Sequence, residues 1–91
     1  MTAQFNLGET VATPAALTAL EDAGQSTAEF LHRHVSGDWG EVDADDKQAN
    51  EDALIHGERL LSAYRTSKGE RIWVITEADR SSTCCLTPDE Y

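Results

Sequence analysis

The sequence contains no long apolar run, and this absence limits the kind of protein that it encodes. No stretch approaches the roughly 18 consecutive apolar residues that a membrane span needs. Residues 1–10, MTAQFNLGET, have neither the basic segment nor the apolar segment of a secretion signal. We therefore expect a cytoplasmic protein that does not contact a membrane.

Cysteine is scarce, because the chain has only Cys84 and Cys85. The two residues are adjacent, so their α-carbons are about 3.8 Å apart, whereas most disulfides need about 4.4 Å or more. We expect two free thiols on a strand, with one of them facing the core. Free thiols fit a reducing compartment.

Basic residues are also scarce. Seven Lys and Arg stand against 17 Asp and Glu, which gives a formal net charge of −10. This balance repels nucleic acid and acidic membranes, so we expect no direct binding to DNA or RNA and favour a basic protein surface as the partner. The acidity is local, because residues 37–58 hold eight acidic residues and one basic residue, whereas residues 59–91 hold five of each.

Motifs of common enzymes are absent as well. The chain has no G-x-S-x-G, no G-x-x-x-x-G-K-[ST] and no G-x-G-x-x-G, so we expect neither catalysis by this chain alone nor a cofactor. A metal site is not predicted either. His32 and His34 project about 160° apart on a helix, and the face that His32 shares with Glu29 lacks further ligands. His56 or Cys84 could complete a site only through the tertiary fold.

The first half of this single-domain chain predicts three helices. Thr13 as N-cap, Pro14 at the first helical position and Gly24 beyond the end bound the first helix. STAE at residues 26–29 matches a capping box and starts a second helix, which should end near Val35. The inward-facing residues of these helices should be Ala16, Leu17, Leu20, Ala28, Leu31 and Val35, with His32 and His34 at the core edges.

A third helix should run from about Asp43 to His56. Asp43 or Asp45 can cap its first turn, and Gly57 can end it in a left-handed conformation. Its inner face should consist of Ala49, Ala53 and His56.

From residue 59 onward the pattern is that of strands. RLLSAYRT and ERIWVITE are rich in β-branched and aromatic residues, and the SKG between them is typical of a hairpin turn. TCCLT should form a third strand, and ETVAT, before the first helix, a short strand or an extended lead-in. We predict an α+β fold with about three helices packed on a small, mainly antiparallel sheet of three to four strands.

The central strand is apolar on both faces. Alternation places Ile72 and Val74 on one face, and Trp73 and Ile75 on the other. The helices can cover only one face easily. The other is either covered by the N-terminal segment or open to a partner.

The stretch SGDWGEVDADDKQANED, residues 36–52, concentrates seven carboxylates and one lysine around a tryptophan. Glu41, Asp43 and Asp45 match the first, third and fifth ligand positions of a calcium loop. The match ends there, because Asp46 stands where the loop needs glycine and Asp52 where it needs glutamate. We therefore expect no bound calcium.

We predict instead that residues 38–52 form a surface for a basic partner, with Trp39 as its apolar anchor, since tryptophan is enriched in interface hot spots. In the alternative, Trp39 closes one end of the core and the acidic residues only solvate and cap the third helix. The predicted partner-binding residues are Asp38, Trp39, Glu41, Asp43, Asp45, Asp46, Glu51 and Asp52.

Two long runs resemble a family of small acidic bacterial proteins that plasmids and other mobile elements carry. The runs are VATPAALTALEDAGQSTAEFLHRHVSGDWGEVD and GERLLSAYRTSKGERIWVITEADRSSTCCLTPDEY, within which SGDWGEVD and IWVITEADRSST are the most specific. Members are often labelled plasmid-related or type I restriction endonuclease subunit M. A DNA-methylating subunit does not fit into 91 residues, so the second label does not describe the activity of this chain.

The resemblance implies a setting of conflict between mobile DNA and host defence. In that setting a small acidic protein can act as an anti-restriction or anti-CRISPR inhibitor by covering the basic surface of a nuclease or CRISPR effector. There are two alternatives. The first is a self-associating accessory subunit of a restriction or plasmid system, for example as a homodimer, and the second is a small metal-dependent enzyme.

Overall fold

Three helices pack on one face of a four-stranded, mainly antiparallel sheet, which confirms the α+β prediction. The computed structural model describes residues 3–91 of the chain. Its elements are β1 (Glu9–Ala12), α1 (Pro14–Asp22), α2 (Thr27–Val35), α3 (Ala44–His56), β2 (Leu60–Arg65), β3 (Arg71–Thr76), β4 (Ser82–Leu86) and a 3₁₀ turn (Pro88–Glu90).

The strand order in the sheet is β1-β4-β3-β2. β2 and β3 form the predicted hairpin, closed by the bond from the Thr66 N–H to the Glu70 carbonyl at 2.8 Å. β3 and β4 are also antiparallel, whereas β1 joins β4 in parallel, and the three helices between them supply the long connection that a parallel pair requires. β1 and β2 are therefore the two edges.

Local capping signals fix most helix ends at the predicted residues. Thr13 Oγ1 accepts from the Ala16 N–H at 3.2 Å, Asp43 accepts from the Asp46 N–H at 2.8 Å, and Gly57 adopts a φ of 72° after α3. The expected capping box at residues 26–29 is wrong, because the Ser26 side chain makes no capping bond. Glu29 instead accepts from the side chain of Gln25 at 2.8 Å.

The helices bury only part of the predicted inward set: Ala16 and Leu20 are buried as expected, and Leu31 and Val35 are half-buried. In α1, Ala19 takes the inward place expected of Leu17, which is 43% exposed. In α2, Phe30 and His34 are buried and Ala28 is exposed. These faces differ from the prediction by part of a turn, because contact with the sheet, and not local apolar spacing, sets the rotation of a short helix.

The same correction applies to α3. Ala53 is buried as expected, but Ala49 and His56 are exposed, and the polar Asn50 is buried in their place. The hydrogen bonds of Asn50 to the sheet, and not the positions of the small apolar side chains, thus determine which face of α3 is buried.

Two clusters of core residues lie on the helix side of the sheet. The larger one contains Ala16, Ala19, Leu20, Phe30, Tyr64, Ile72, Val74 and Cys85. The smaller one contains Trp39, Ala53 and Leu60, with Phe5, Val42 and Leu54 packed against it.

The opposite sheet face carries Trp73 and Ile75, as predicted from the alternation. Of the two alternatives for this face, cover by the N-terminal segment does not apply to Phe5, which packs on the helix side against His34. The C-terminal turn lies here instead, with the Tyr91 ring edge-on to Trp73 at 5.5 Å between centroids. Within the described residues, no helix is both long enough and apolar enough to cross a membrane.

Candidate functional site: the acidic face of α3

Trp39 is a core residue with 4% of its surface exposed. Its ring stacks on Phe5 at 6.3 Å and meets the edge of His34 at 5.8 Å, and its Nε1 donates to Glu51 at 3.3 Å. Trp39 therefore closes one end of the core, which is the alternative to the interface anchor that we predicted. A side chain so buried has almost no surface to offer as the predicted anchor.

Asp38 and Glu41 form ion pairs within the protein. Asp38 accepts from Arg33 Nε at 2.8 Å, and Glu41 accepts from Arg65 Nε at 2.9 Å. The hydrogen bond from Arg33 holds the pKa of Asp38 below its ordinary value. Because each charge has a cation of the same chain beside it, both residues contribute less to attraction of a basic partner than the sequence suggested.

The remaining predicted acids lie on α3 or at its start. Asp43 serves as the N-cap, and Asp46 is exposed in the first turn. Asp45, Glu51 and Asp52 are exposed on the helix, and none forms an ion pair with another residue of the described chain.

An exposed isoleucine, Ile55, lies among these carboxylates with 77% of its surface exposed. Asp52 and Glu51 precede it by three and four residues, so both flank it on the helix surface, and Asp45 lies two turns before Asp52 on the same side. We call Asp45, Glu51, Asp52 and Ile55 the acidic face. Ile55 was not among the predicted residues, although a helical wheel centred on Asn50 and Ala53 would have pointed it outward.

The side chain of Asn50 fixes the opposite side of α3 to the sheet. Its Nδ2 donates to the Leu61 carbonyl at 2.7 Å, and its Oδ1 accepts from the Leu61 N–H at 3.0 Å. One residue thus satisfies both outward backbone groups of an edge-strand residue, as a neighbouring strand would. The acidic face is thereby held on a rigid element pointing away from β2.

The loop before α3 completes the cover of β2. The Ala63 N–H donates to the Trp39 carbonyl at 3.1 Å, and its carbonyl accepts from the Glu41 N–H at 2.6 Å. Gly40 lies between these two contacts with a φ of 74°, where a Cβ atom would overlap the Ala63 carbonyl oxygen. Glycine is therefore required for the loop to approach the strand so closely.

Arg80 holds the C-terminal end of α3. Its guanidinium donates to the Ala53 carbonyl at 3.1 Å and to the Glu58 carbonyl at 2.6 Å. A cation at a helix C-terminus also compensates the negative end of the helix dipole. No local pattern in the sequence indicates this role of Arg80, because its partners lie 22 and 27 residues earlier.

A buried chain of hydroxyl groups surrounds His34. Nδ1 lies 2.5 Å from Ser62 Oγ, Nε2 lies 2.8 Å from Thr76 Oγ1, and Thr76 Oγ1 lies 2.7 Å from Thr83 Oγ1. Thr83 donates to the Leu7 carbonyl, which can only accept. Thr83 must then accept from Thr76, and Thr76 from Nε2–H, so neutral His34 carries its proton on Nε2 and accepts from Ser62.

This network is structural in the observed conformation. A serine within hydrogen-bond distance of a histidine resembles a nucleophile and its base, but His34 and Ser62 are both 0% exposed, so a substrate has no access to them. Burial, with a smaller effect from Arg80, lowers the pKa of His34 to about 4. The ring is therefore neutral at physiological pH, and every polar atom of its side chain has a partner.

The cysteines are free, as expected, and poorly suited to nucleophilic chemistry. Burial raises the pKa of Cys85 to about 11, and it also raises the pKa of the half-buried Cys84. Both remain thiols near neutral pH, whereas the thiolate is the reactive form. Across residues 3–91, no three His, Cys, Asp or Glu side chains converge in an arrangement that could hold a metal ion.

Comparisons of the chain with protein-family models, with curated proteins and with solved structures found no match. The function is therefore inferred from the charges and contacts of the described residues.

Proposed function

We propose that this protein is a non-enzymatic binding module whose acidic face docks on a basic surface of another protein. The observation that carries the proposal is the unbalanced charge of α3. Four acidic residues and a single lysine occupy this helix. The carboxylates of the acidic face lack ion-pair partners within the described chain.

The acidic face combines two properties that favour protein recognition. Asp45, Glu51 and Asp52 attract basic side chains over a distance and accelerate encounter. Ile55 offers an apolar side chain that loses water on contact, and 77% of its surface is available for that purpose. Because Asn50 and Arg80 fix the helix, the partner meets a preformed surface and little ordering entropy is lost.

The charge density of α3 favours ordinary surface complementarity over mimicry of duplex DNA. A helix of 13 residues is about 20 Å long, and a net charge of −3 places about one charge per 7 Å. Duplex DNA carries about one charge per 1.7 Å of its axis. We therefore infer contact with a limited basic patch, and not occupation of a complete DNA-binding channel by a single copy.

The resemblance to proteins of plasmids and mobile elements supports one class of partner. Nucleases and CRISPR effectors expose basic surfaces because they bind nucleic acid, and such a surface matches the acidic face in charge. We propose that the protein belongs to a mobile element and inhibits a nucleic-acid-handling protein of host defence in the anti-restriction or anti-CRISPR manner.

Affinity capture with two variants of equal charge tests the proposal. The test variant carries Asp45→Asn, Glu51→Gln and Asp52→Asn, in which the new amide at position 51 keeps an acceptor for Trp39. The control variant carries Asp22→Asn, Glu70→Gln and Asp89→Asn, three exposed residues outside α3. Both triples raise the net charge from −10 to −7.

The proposal predicts that the wild type and the control variant capture the same basic protein from host cells, and that the test variant does not. Recovery of that protein by all three would refute a role for the acidic face. Recovery of only the protein itself would favour the accessory-subunit alternative.

A further inference from the structure

We propose that the open edge of β1 binds an extended segment of a partner protein as a fifth strand, and that this segment alternates apolar with basic residues. This edge lies across the sheet from β2 and α3. The inference therefore goes beyond the proposed function of the acidic face and does not depend on it.

Within the described chain, the outward backbone groups are covered at one edge of the sheet, β2, and uncovered at the other, β1. At β2, Asn50 covers Leu61, and the backbone of Trp39 and Glu41 covers Ala63. Such cover is a common way in which proteins prevent an edge strand from pairing with another chain. The lack of such cover at β1 therefore suggests that this edge pairs with another chain.

At β1, the outward backbone groups are uncovered. The Glu9 N–H bonds to the Ser81 carbonyl and the Thr13 N–H to the Cys85 carbonyl, each at 3.0 Å. In a parallel pair, every second residue of a strand directs its backbone N–H and C=O groups toward the neighbouring strand. In β1 these are Glu9 and Val11, so the backbone groups of Thr10 and Ala12 point away from β4. Outside the β1–β4 ladder, from which they point away, their N–H and C=O groups have no backbone hydrogen-bond partner within residues 3–91. Two donors and two acceptors are thus available to a fifth strand.

An apolar groove runs beside this edge. It has a volume of about 190 Å³, and its walls come from β1, α1 and α2. Leu17 is 43% exposed at the groove, whereas the side chain of Val11 lies on the other sheet face, because Val11 pairs with Cys84 and Cys84 pairs with Ile75. The lining residues are Thr10, Val11, Ala12, Leu17, Thr27 and Leu31. An added strand would direct alternate side chains into the groove, which explains the apolar half of the proposed segment.

The charge around β1 indicates that the remaining residues of the bound segment are basic and that the segment belongs to another protein. Residues 3–32 contain no lysine or arginine, and the acidic residues among them include Glu9, Glu21 and Glu29. Glu9 lies in β1 itself, and Glu21 follows Leu17 by one turn on the same side of α1. A second copy would bring identical carboxylates to the edge and be repelled. Lysine or arginine on the partner segment would instead be attracted.

Amide hydrogen exchange measured by NMR tests this inference with two capped eight-residue peptides. One peptide alternates valine and lysine, and the other alternates valine and glutamate. The protein carries the Asp45→Asn, Glu51→Gln and Asp52→Asn substitutions, so that binding of the basic peptide to α3 is suppressed. The amides of Leu61 and Ala63, which are already bonded, serve as internal controls.

We expect the valine–lysine peptide to slow exchange of the Thr10 and Ala12 amides by about tenfold or more at saturation, without change at Leu61 and Ala63. The valine–glutamate peptide should have no effect. A Thr10→Pro variant, which removes an outward N–H and no bond of the sheet, should retain its fold and lose the response.

Three results would overturn the inference. The first is unchanged exchange at Thr10 and Ala12 with either peptide. The second is equal slowing by both peptides, which would refute the role of charge. The third is exchange of the Thr10 and Ala12 amides that is already slow without peptide and becomes slower as the protein concentration rises. In that case a second copy of the chain would occupy the edge. Since the acidic face is already neutralised, none of these results bears on the proposed function of α3.

Discussion

The side chain of Asn50 pairs with the backbone of Leu61 through two hydrogen bonds, at 2.7 and 3.0 Å, and so acts as one more residue of a strand beside β2. This relationship joins the helix that carries the acidic face to the sheet. It also closes one edge of the sheet while the edge at β1 stays open.

Asn50→Ala should destabilise the protein by about 1–3 kcal/mol, because the partly buried N–H and C=O of Leu61 would lose their partners. The exposed neighbour Gln48 provides the control, and Gln48→Ala should change stability by less than about 0.5 kcal/mol. Urea unfolding of the three proteins measures both values. Equal stabilities for Asn50→Ala and Gln48→Ala would show that the pairing is dispensable.

Trp39→Ala should destabilise the protein by about 3–5 kcal/mol, because it leaves a cavity between Phe5, His34 and α3. For a domain of this size the variant is expected to be largely unfolded or close to it. Thermal unfolding and the dispersion of NMR signals measure the effect. A folded Trp39→Ala protein of nearly normal stability that fails to bind its partner would restore Trp39 as an interface anchor.

Stability should fall as the pH drops from about 6.5 towards 4. The folded state holds the pKa of His34 at about 4, against an ordinary value of 6.5, so between these values the unfolded state binds more protons. The stabilisation is complete above about pH 6.5, and its loss approaches about 3 kcal/mol near pH 4.

Urea midpoints at several pH values between 4 and 7 measure this dependence in the wild type and in His34→Gln. Asp38 and Glu90, whose pKa values are lowered, lose their contributions mainly at lower pH and do so in both proteins. The variant should be less stable at pH 7 but should have a flatter pH dependence. The same slope in both proteins would contradict the burial of a neutral His34.

Ile55→Ser should leave stability within about 0.5 kcal/mol of the wild type, because the side chain is 77% exposed. If Ile55 lies at the centre of the interface, the same change should weaken binding of the captured partner by about tenfold or more. Calorimetric titration, with Ala15→Ser at an exposed position of α1 as the control, measures the difference. Unchanged affinity would place Ile55 outside the interface.

Most of the fold was predictable because its signals are local. Thr13 and Asp43 act as N-caps within three residues of their partners, and the SKG turn joins two runs whose alternation sets the register of the hairpin. These interactions are decided by neighbours in sequence, so the sequence displays them directly.

The rotation of the helices and the make-up of the site were not predictable, because distant contacts decide them. Asn50 is buried because its side-chain amide bonds the backbone of Leu61, 11 residues later. His34 is buried because its ring bonds Ser62 and Thr76, which lie 28 and 42 residues later. Ile55 was missed for the same reason, since its exposure follows from the side of α3 that Asn50 fixes. Trp39 was ambiguous, because an aromatic residue between glycines is equally consistent with an interface and with the end of a core.

The most direct test of the central claim is the rate constant for association of the captured partner with the two charge-matched triple variants. Loss of the carboxylates of the acidic face should slow association by about tenfold at low ionic strength and weaken its salt dependence, because these charges act on encounter. The variant with Asp22→Asn, Glu70→Gln and Asp89→Asn has the same net charge and should associate at close to the wild-type rate. Equal association rates for the two triple variants would contradict the assignment of the acidic face as the docking surface.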